Sequence, residues 1–372
     1  MRIDRRLFLA GLGATALPLP AFAQGDPADL LIVNALGGFG DPNRPPDAGP
    51  RRRELDARVL ADARASGMDA VNVTLGYVAG EMEPFEYTIG EIAFWDARLR
   101  AHPDALRKVF TAADILRARA ERKVGVIYGF QNSAMLGDDP SRAGIFADLG
   151  VRVIQLTYNP ANRVGDGAMA PENRGITPLG RQVIEALNEN RIMVDLSHSG
   201  ERTCIEAARH SRAPISINHT GCRALTDLPR NKTDAELRLV AERGGFVGIY
   251  FMPFLSPDSV AEPEDVVAHI DHAVNVCGED HVGIGTDGGT TAVDDMAAYR
   301  ARIREEIAER RAAGIGARGE NPDTLPFVEA LSGPDQFRRL IGLLERKGYS
   351  SARIDKIMGL NFVQYGREVW GA

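Results

Sequence analysis

The chain has 372 residues, of which 44% are hydrophobic and 26% charged, and its formal net charge is −7. This composition is typical of a globular protein and excludes a fibrous or disordered chain, and the acidic charge without a long basic run disfavours nucleic acid as a partner. The three cysteines are odd in number and form no CxxC pair, which disfavours both a disulfide framework and a structural zinc knuckle.

The first 23 residues are typical of a removable export signal. Arg5 and Arg6 precede a short apolar stretch in the manner of a twin-arginine motif, and residues 21–23 read Ala-Phe-Ala, a small-x-small cleavage site. The alternative, an uncleaved membrane anchor, is disfavoured because the apolar stretch 7–17 is about half of the roughly 20 residues that span a bilayer. We therefore expect the twin-arginine translocase as a partner during export, and a soluble periplasmic or otherwise exported chain that begins near Gln24.

Short runs rich in Val, Ile, Leu and Phe recur along the rest of the chain. Parallel strands that are buried on both faces have this pattern. The predicted strands are residues 30–36, 70–75, 124–130, 151–158, 192–198, 214–220, 246–252 and 282–287.

Stretches with helical spacing of apolar residues separate these strands, among them residues 55–67 and 179–190. Eight alternations of strand and helix predict an α/β fold, a (β/α)8 TIM barrel of the metal-dependent hydrolase type, formed as a single domain by residues 24–372. A helical region at 335–370 is expected to pack on the barrel. The alternative, a doubly wound open sheet, is disfavoured because no GxGxxG fingerprint opens a helix after the first strand.

Side chains at the carboxyl ends of barrel strands meet at one mouth. The fifth and sixth predicted strands end near His198 and His219, and the eighth ends at Asp287. Two imidazoles and a carboxylate at one mouth could hold a divalent metal ion, with Asp287 as a ligand or as the group that takes a proton from water. The alternative is that each histidine is a hydrogen-bonded structural residue. The remaining histidines are expected to be surface or helix-capping residues: His102, His210, His269, His272 and His281.

From residue 175 onward the chain resembles the membrane (renal) dipeptidase family of zinc-dependent (β/α)8-barrel hydrolases. The matching segments stand in the family's order and spacing, and weaker similarity, including LTYN at 156–159, reaches back to about residue 30. The segments are GITPLG at 175–180, VDLSHS at 194–199, SRAPI at 211–215, PRN at 229–231, GG at 244–245 and VGIGTD at 282–287.

The resemblance implies roles for these matching residues. His198 and His219 would be the histidine ligands of one zinc ion, and Asp287 would take the proton of the attacking water. Arg230 would bind the terminal carboxylate of the substrate, together with the neighbouring Asn231. A guanidinium suits that task because it can hold a carboxylate through two parallel hydrogen bonds. The resemblance also implies a homodimer.

The chain departs from the family pattern in three places. Leu36 and Gly38 stand where the family has a His-x-Asp pair that binds the other zinc ion. Gln131 replaces the bridging glutamate, and an amide cannot neutralise two cations. Tyr158 replaces a histidine that polarises the scissile carbonyl, although a phenol can still donate a hydrogen bond there. We therefore expect one zinc ion or none, on His198 and His219, with Gln131 as a weak further ligand.

Three functions remain open from the sequence. The first is an exported hydrolase of a dipeptide or small amide with a modified, at most mononuclear, metal site. The second is a catalytically altered or inactive periplasmic binding or maturation protein, for example in peptide tailoring. The third is a metal-dependent lyase or isomerase, since barrels of this kind carry many chemistries.

Overall fold

The computed structural model describes residues 30–44, 55–312 and 318–371. Within these ranges, eight parallel strands follow one another around a barrel in the order β1-β2-β4-β5-β6-β7-β8-β9, and β3 pairs only with β4. The strands are β1 Val33–Gly37, β2 Ala70–Thr74, β3 Leu106–Lys108, β4 Val124–Phe130, β5 Val151–Gln155, β6 Met193–Asp195, β7 Ser216–Thr220, β8 Phe246–Ile249 and β9 Val282–Ile284.

The helices lie between and after the strands. They are α1 Ala57–Ala65, α2 Pro84–Ala101, α3 Ala112–Ala120, α4 Arg142–Asp148, α5 Pro178–Glu189, α6 Glu201–His210, α7 Asp234–Glu242, α8 Pro263–Cys277, α9 Met296–Ala312, α10 Gln336–Arg346, α11 Ser351–Asp355 and α12 Asn361–Trp370. Gly67, Gly150 and Gly278 follow α1, α4 and α8 with φ of 75°, 90° and 83°, a conformation that favours glycine at helix ends. None of the helices in the described ranges is long and apolar enough to cross a bilayer.

Hydrogen bonds between the carboxyl end of β1 and the residues after β9 close the barrel. The Asp287 N–H donates to the Leu36 carbonyl at 2.9 Å, and the Gly38 N–H donates to the Gly288 carbonyl at 3.2 Å. The predicted TIM-barrel fold is confirmed. The predicted strands correspond to β1, β2 and β4–β9, whereas β3 was not predicted, because two of its three residues are basic.

The helical C-terminus covers the amino-terminal end of the barrel. Trp370 donates from its indole nitrogen to the Arg152 carbonyl at 3.1 Å, and the Tyr365 hydroxyl donates to the Pro214 carbonyl at 3.4 Å. Phe362 packs edge-on against Phe246 inside the barrel, with ring centroids 5.3 Å apart. Because this end is filled, a substrate can reach the barrel only at the carboxyl ends of the strands, where enzymes of this architecture carry their active sites.

Candidate active site

Two histidine side chains converge at the carboxyl ends of β6 and β7. His219 lies in β7, and His198 follows β6 by three residues. Both side chains are buried, and the two Nε2 atoms are 3.0 Å apart. Both histidines were selected from the sequence, and the structure brings them into direct contact.

A buried carboxylate aligns the two segments that carry these histidines. Asp195 Oδ1 accepts hydrogen bonds from the Ser197 hydroxyl at 2.5 Å, the Ser197 N–H at 3.0 Å and the Asn218 N–H at 3.1 Å. The Ser197 hydroxyl oxygen in turn accepts from the His219 N–H at 3.1 Å. This network fixes the backbone on which both imidazoles depend.

Asn159 sets the tautomer of His198. Its side-chain oxygen lies 2.6 Å from His198 Nδ1, so Nδ1 is the protonated nitrogen and the Nε2 lone pair faces His219. An oxygen acceptor on the far nitrogen is the usual way in which a metal-binding histidine is oriented. Within the LTYN segment, no local pattern distinguishes Asn159 as a functional residue.

We expect Asn159→Ala to weaken metal binding by roughly 10- to 100-fold, the usual effect of removing such an outer partner. Competition with a chromogenic zinc chelator measures the affinity, and the melting temperature checks the fold. Asn159→Asp keeps an acceptor at the same place and should bind the metal at least as well as the wild type. Equal affinities for the alanine variant and the wild type would show that His198 is oriented by other contacts.

The donors present fit one metal ion and do not fit two. Two nitrogens on one tetrahedral zinc ion lie about 3.3 Å apart when each Zn–N bond is about 2.05 Å, close to the observed 3.0 Å between the two Nε2 atoms. His219 Nδ1 is buried without a hydrogen-bond partner. No group of three or more His, Cys, Asp or Glu side chains gathers around a common point in the described ranges.

The residues that the family resemblance places at a second metal site make other contacts. The Gln131 amide donates to Thr74 Oγ1 at 2.7 Å, and neither histidine is among its described contacts. Leu36 is buried, and Gly38 has no side chain. Among the described candidate ligands, the structure brings His198 and His219 close enough to share an ion.

Two buried cations lie beside the histidines. Arg230 donates from Nη1 to the Ser197 carbonyl, and Lys232 donates from Nζ to the Ser199 carbonyl, so the two side chains hold the backbone on both sides of His198. Arg230 is only 7% exposed, and none of the described carboxylates lies within ion-pair distance of it. Its remaining N–H groups are available for an anion. Lys232 was not selected from the sequence.

Asn231 is fully buried, and its side chain is used within the protein. Its amide nitrogen donates to the Thr226 and Phe254 carbonyls at 2.8 and 2.9 Å, and its oxygen accepts from the Tyr250 hydroxyl at 2.5 Å. A substrate contact would require one of these bonds to break. The geometry therefore favours a role for Asn231 in positioning the Arg230 loop.

Asp287 has a backbone conformation that is uncommon for a residue other than glycine. Its φ is 59°, in the left-handed region that aspartate and asparagine tolerate better than most residues. Its carboxylate makes no hydrogen bond or ion pair with the described residues. Burial raises the pKa of Asp287 to about 6, and the Arg230 guanidinium opposes that shift.

Tyr158 stacks on His198, with ring centroids 4.3 Å apart and an interplanar angle of 25°. Burial and the Asp287 carboxylate raise the pKa of the Tyr158 hydroxyl, while Arg230 lowers it. The phenol therefore stays protonated and can donate a hydrogen bond. The mutual effects of Tyr158, Arg230 and Asp287 show that the three side chains share one electrostatic environment.

One of the other histidines differs from the expectation of surface or capping roles. His269 on α8 is buried, accepts the Cys222 N–H on Nδ1 at 2.8 Å and donates from Nε2 to the Leu255 carbonyl at 3.0 Å. Burial lowers its pKa to about 4. His269 is a neutral structural residue that ties α8 to the loops after β7 and β8.

A cavity of about 470 Å³ opens at the carboxyl ends of β1 and β9. Asp287 lines it, and Arg230, Tyr158 and the two histidines do not. Of the candidate catalytic residues, Asp287 is therefore the one that lines the cavity.

Comparison with known proteins identifies relatives that match most of the chain. The chain is 27% identical over 300 residues to a Klebsiella pneumoniae protein described as "Uncharacterized protein in pqqA 5'region", and the match covers 77% of this chain and 98% of that protein. It is 27% identical over 287 residues to dipeptidase tcpJ of Claviceps purpurea, with 76% of this chain and 60% of that protein covered. Among solved structures, an amidohydrolase from Pseudomonas aeruginosa superposes with a TM-score of 0.77 at 28% identity, covering 93% of this chain and 98% of that one.

The family model described as "Membrane dipeptidase (Peptidase family M19)" matches residues 65–315, more than half of the chain. The matched region includes β2 and β4–β9 together with His198, His219, Arg230 and Asp287. Leu36 and Gly38 precede it. This chain therefore belongs to the membrane dipeptidase family of metallopeptidases.

Proposed function

We propose that this protein hydrolyses the amide bond of a dipeptide, or of another small amide with a free carboxylate, using at most one metal ion. The proposal is carried by the buried guanidinium of Arg230, which has no carboxylate partner among the described residues and lies beside the histidine pair. Asp195 and Asp287 act on this cation without contacting it, and a buried cation without a directly bonded counterion is costly in an apolar interior. A carboxylate of the substrate supplies the missing charge, as a terminal carboxylate does in a short peptide.

The remaining side chains have complementary roles in this proposal. A divalent ion held by His198 and His219 would act as a Lewis acid toward the scissile carbonyl oxygen. Asp287 accepts a proton from the attacking water, because its carboxylate is unpaired and faces the cavity. The Tyr158 hydroxyl donates a hydrogen bond to the oxygen on which negative charge develops. Arg230 fixes the carboxylate end of the substrate and thereby the position of the amide.

The metal content of the purified, untagged protein tests the site directly. We expect about one zinc equivalent per chain in the wild type and none in the His198→Ala, His219→Ala double variant, and hydrolysis of at least one member of a dipeptide panel by the zinc-loaded wild type. Two zinc equivalents per chain would contradict the expectation that Leu36, Gly38 and Gln131 leave no second metal site. A folded protein without metal and without turnover would instead favour the binding or maturation role, for which the lack of a third ligand in the described ranges is the supporting observation.

We further propose that the protein is exported through the twin-arginine translocase and loses residues 1–23. These residues lie outside those that the structure describes, and the proposal rests on Arg5, Arg6 and the Ala-Phe-Ala sequence at 21–23. Mass spectrometry of the protein from a periplasmic fraction should give a chain that starts near Gln24. Arg5→Lys, Arg6→Lys should leave the full-length chain in the cytoplasm, and normal export of that variant would exclude the twin-arginine route.

A further inference from the structure

The cavity beside Asp287 is large for the active site of a small dipeptide. Its volume of about 470 Å³ lies within the roughly 300–1,000 Å³ typical of sites for drug-sized ligands. Apolar and aromatic side chains form much of its wall, and the principal ones are Phe251, Val293, Tyr299, Phe327 and Leu331. Tyr299 and Phe327 pack against each other, with ring centroids 5.6 Å apart.

The charged side chains of the cavity wall are mostly neutralised within the protein. Arg44 pairs with Asp41 at 3.3 Å, and Arg302 pairs with Glu306 at 3.0 Å. Arg302 also donates to the Pro42 carbonyl at 2.8 Å and lies over the Tyr299 ring. Among the described lining residues, Asp287 is the one charged group without an ion-pair partner. A charged group of a ligand would therefore find no counterion deeper in the cavity.

The position of Asp287 orients a substrate. Arg230 is not part of the cavity wall, whereas Asp287 is, and Asp287 is the group that acts on water at the scissile carbon in the proposed function. With the substrate carboxylate on Arg230, the amide lies near Asp287, and the part of the substrate beyond the amide enters the cavity. That part is the acyl side.

We propose that the preferred substrate is an amino acid whose nitrogen carries a bulky, uncharged, apolar or aromatic acyl group, and that this group occupies the cavity. This inference rests on the proposed hydrolase function and specifies its substrate class. In the reaction the water oxygen bonds to the acyl carbon and the C–N bond breaks. One water proton passes by way of Asp287 to the leaving amine, and the products are a free amino acid and an apolar carboxylic acid.

Two glycine conjugates that differ only in the acyl group test the proposal: N-acetylglycine and N-(4-phenylbutanoyl)glycine. We expect the wild type, as purified, to show a KM roughly 30-fold lower for the phenylbutanoyl compound, since burial of the phenyl group removes apolar surface from water. If neither compound is cleaved, the Kd from calorimetry on the same protein replaces KM. Binding preference without turnover would then overturn the hydrolase function and leave the acyl pocket standing, whereas equal binding of the two compounds would overturn the acyl pocket.

Phe327→Ala removes part of the aromatic wall and should reduce the preference to about threefold, with the value for N-acetylglycine changed less than twofold. Phe327→Leu keeps most of the apolar surface and should retain most of the preference. Phe85→Ala is the matched control, because Phe85 is also partly buried and also packs against an aromatic ring at 5.6 Å, but lies on α2 outside the cavity. An undiminished preference in a folded Phe327→Ala variant would overturn the proposal.

Discussion

Asp287→Asn is expected to lower kcat/KM for amide hydrolysis by about 10³-fold, within the roughly 10²–10⁴-fold that a positioned general base contributes. The substitution replaces one carboxylate oxygen with an amide nitrogen and removes the group that accepts the proton. Asparagine tolerates a φ of 59° as well as aspartate does. Because the Asp287 carboxylate makes no bond with the described residues, we expect the melting temperature to change by less than about 2 °C, the size of a surface substitution.

Asp41→Asn is the matched control for this experiment. Asp41 also lines the cavity, but its carboxylate is bound by Arg44 and by the Asn43 backbone and amide. It is therefore not available as a base, and the rate should change less than about fivefold if only a rim charge is lost. If the kcat/KM of Asp287→Asn stays within tenfold of the wild-type value, a group other than Asp287 accepts the proton.

The barrel strands were predictable because each one is buried on both faces and leaves a nearly continuous apolar run in the sequence. The short strand β3 carries no such signal, since Arg107 and Lys108 make up most of it and it pairs at one side only. His269 was missed for a related reason. In the sequence, a histidine within an amphipathic helix resembles a surface residue. In the structure, loops bury His269, and its side chain forms hydrogen bonds with the Cys222 N–H and the Leu255 carbonyl.

The histidine pair and Asp287 were selected from strand ends, and Arg230 from a family motif. The structure brings the two histidines together and places Arg230 against the Ser197 carbonyl.

Asn159 and Lys232 were not selected from the sequence. Asn159 acts through a contact with His198, which is 39 residues away in the sequence. The local sequence pattern does not indicate such a contact. Lys232 lies in a polar segment whose sequence is typical of a solvated loop. In the structure, however, its side chain is only 1% exposed.

Glu236→Gln is expected to destabilise the protein by about 3–5 kcal/mol, the usual cost of removing one partner of a buried ion pair. Glu236 Oε1 lies 3.5 Å from Lys232 Nζ, and the two side chains are 0% and 1% exposed. Glutamine can keep the hydrogen bonds that Glu236 Oε2 accepts from the Thr233 N–H and hydroxyl at 2.8 and 2.9 Å. The capping of α7 is thus preserved. The loss of stability then measures the cost of leaving the Lys232 ammonium without its partner. Urea unfolding measures it.

The double variant Lys232→Met, Glu236→Gln decides whether the pair or the individual groups carry the effect. Methionine fills the space of the lysine stem without a charge, so the double variant should recover to within about 1–2 kcal/mol of the wild type, since apolar replacements of buried ion pairs are often neutral. Asp323→Asn, which breaks the exposed pair with Arg304 at 2.6 Å, should cost less than about 1 kcal/mol. If Glu236→Gln costs no more than this exposed control, the buried pair of Lys232 and Glu236 contributes no more to stability than an exposed ion pair.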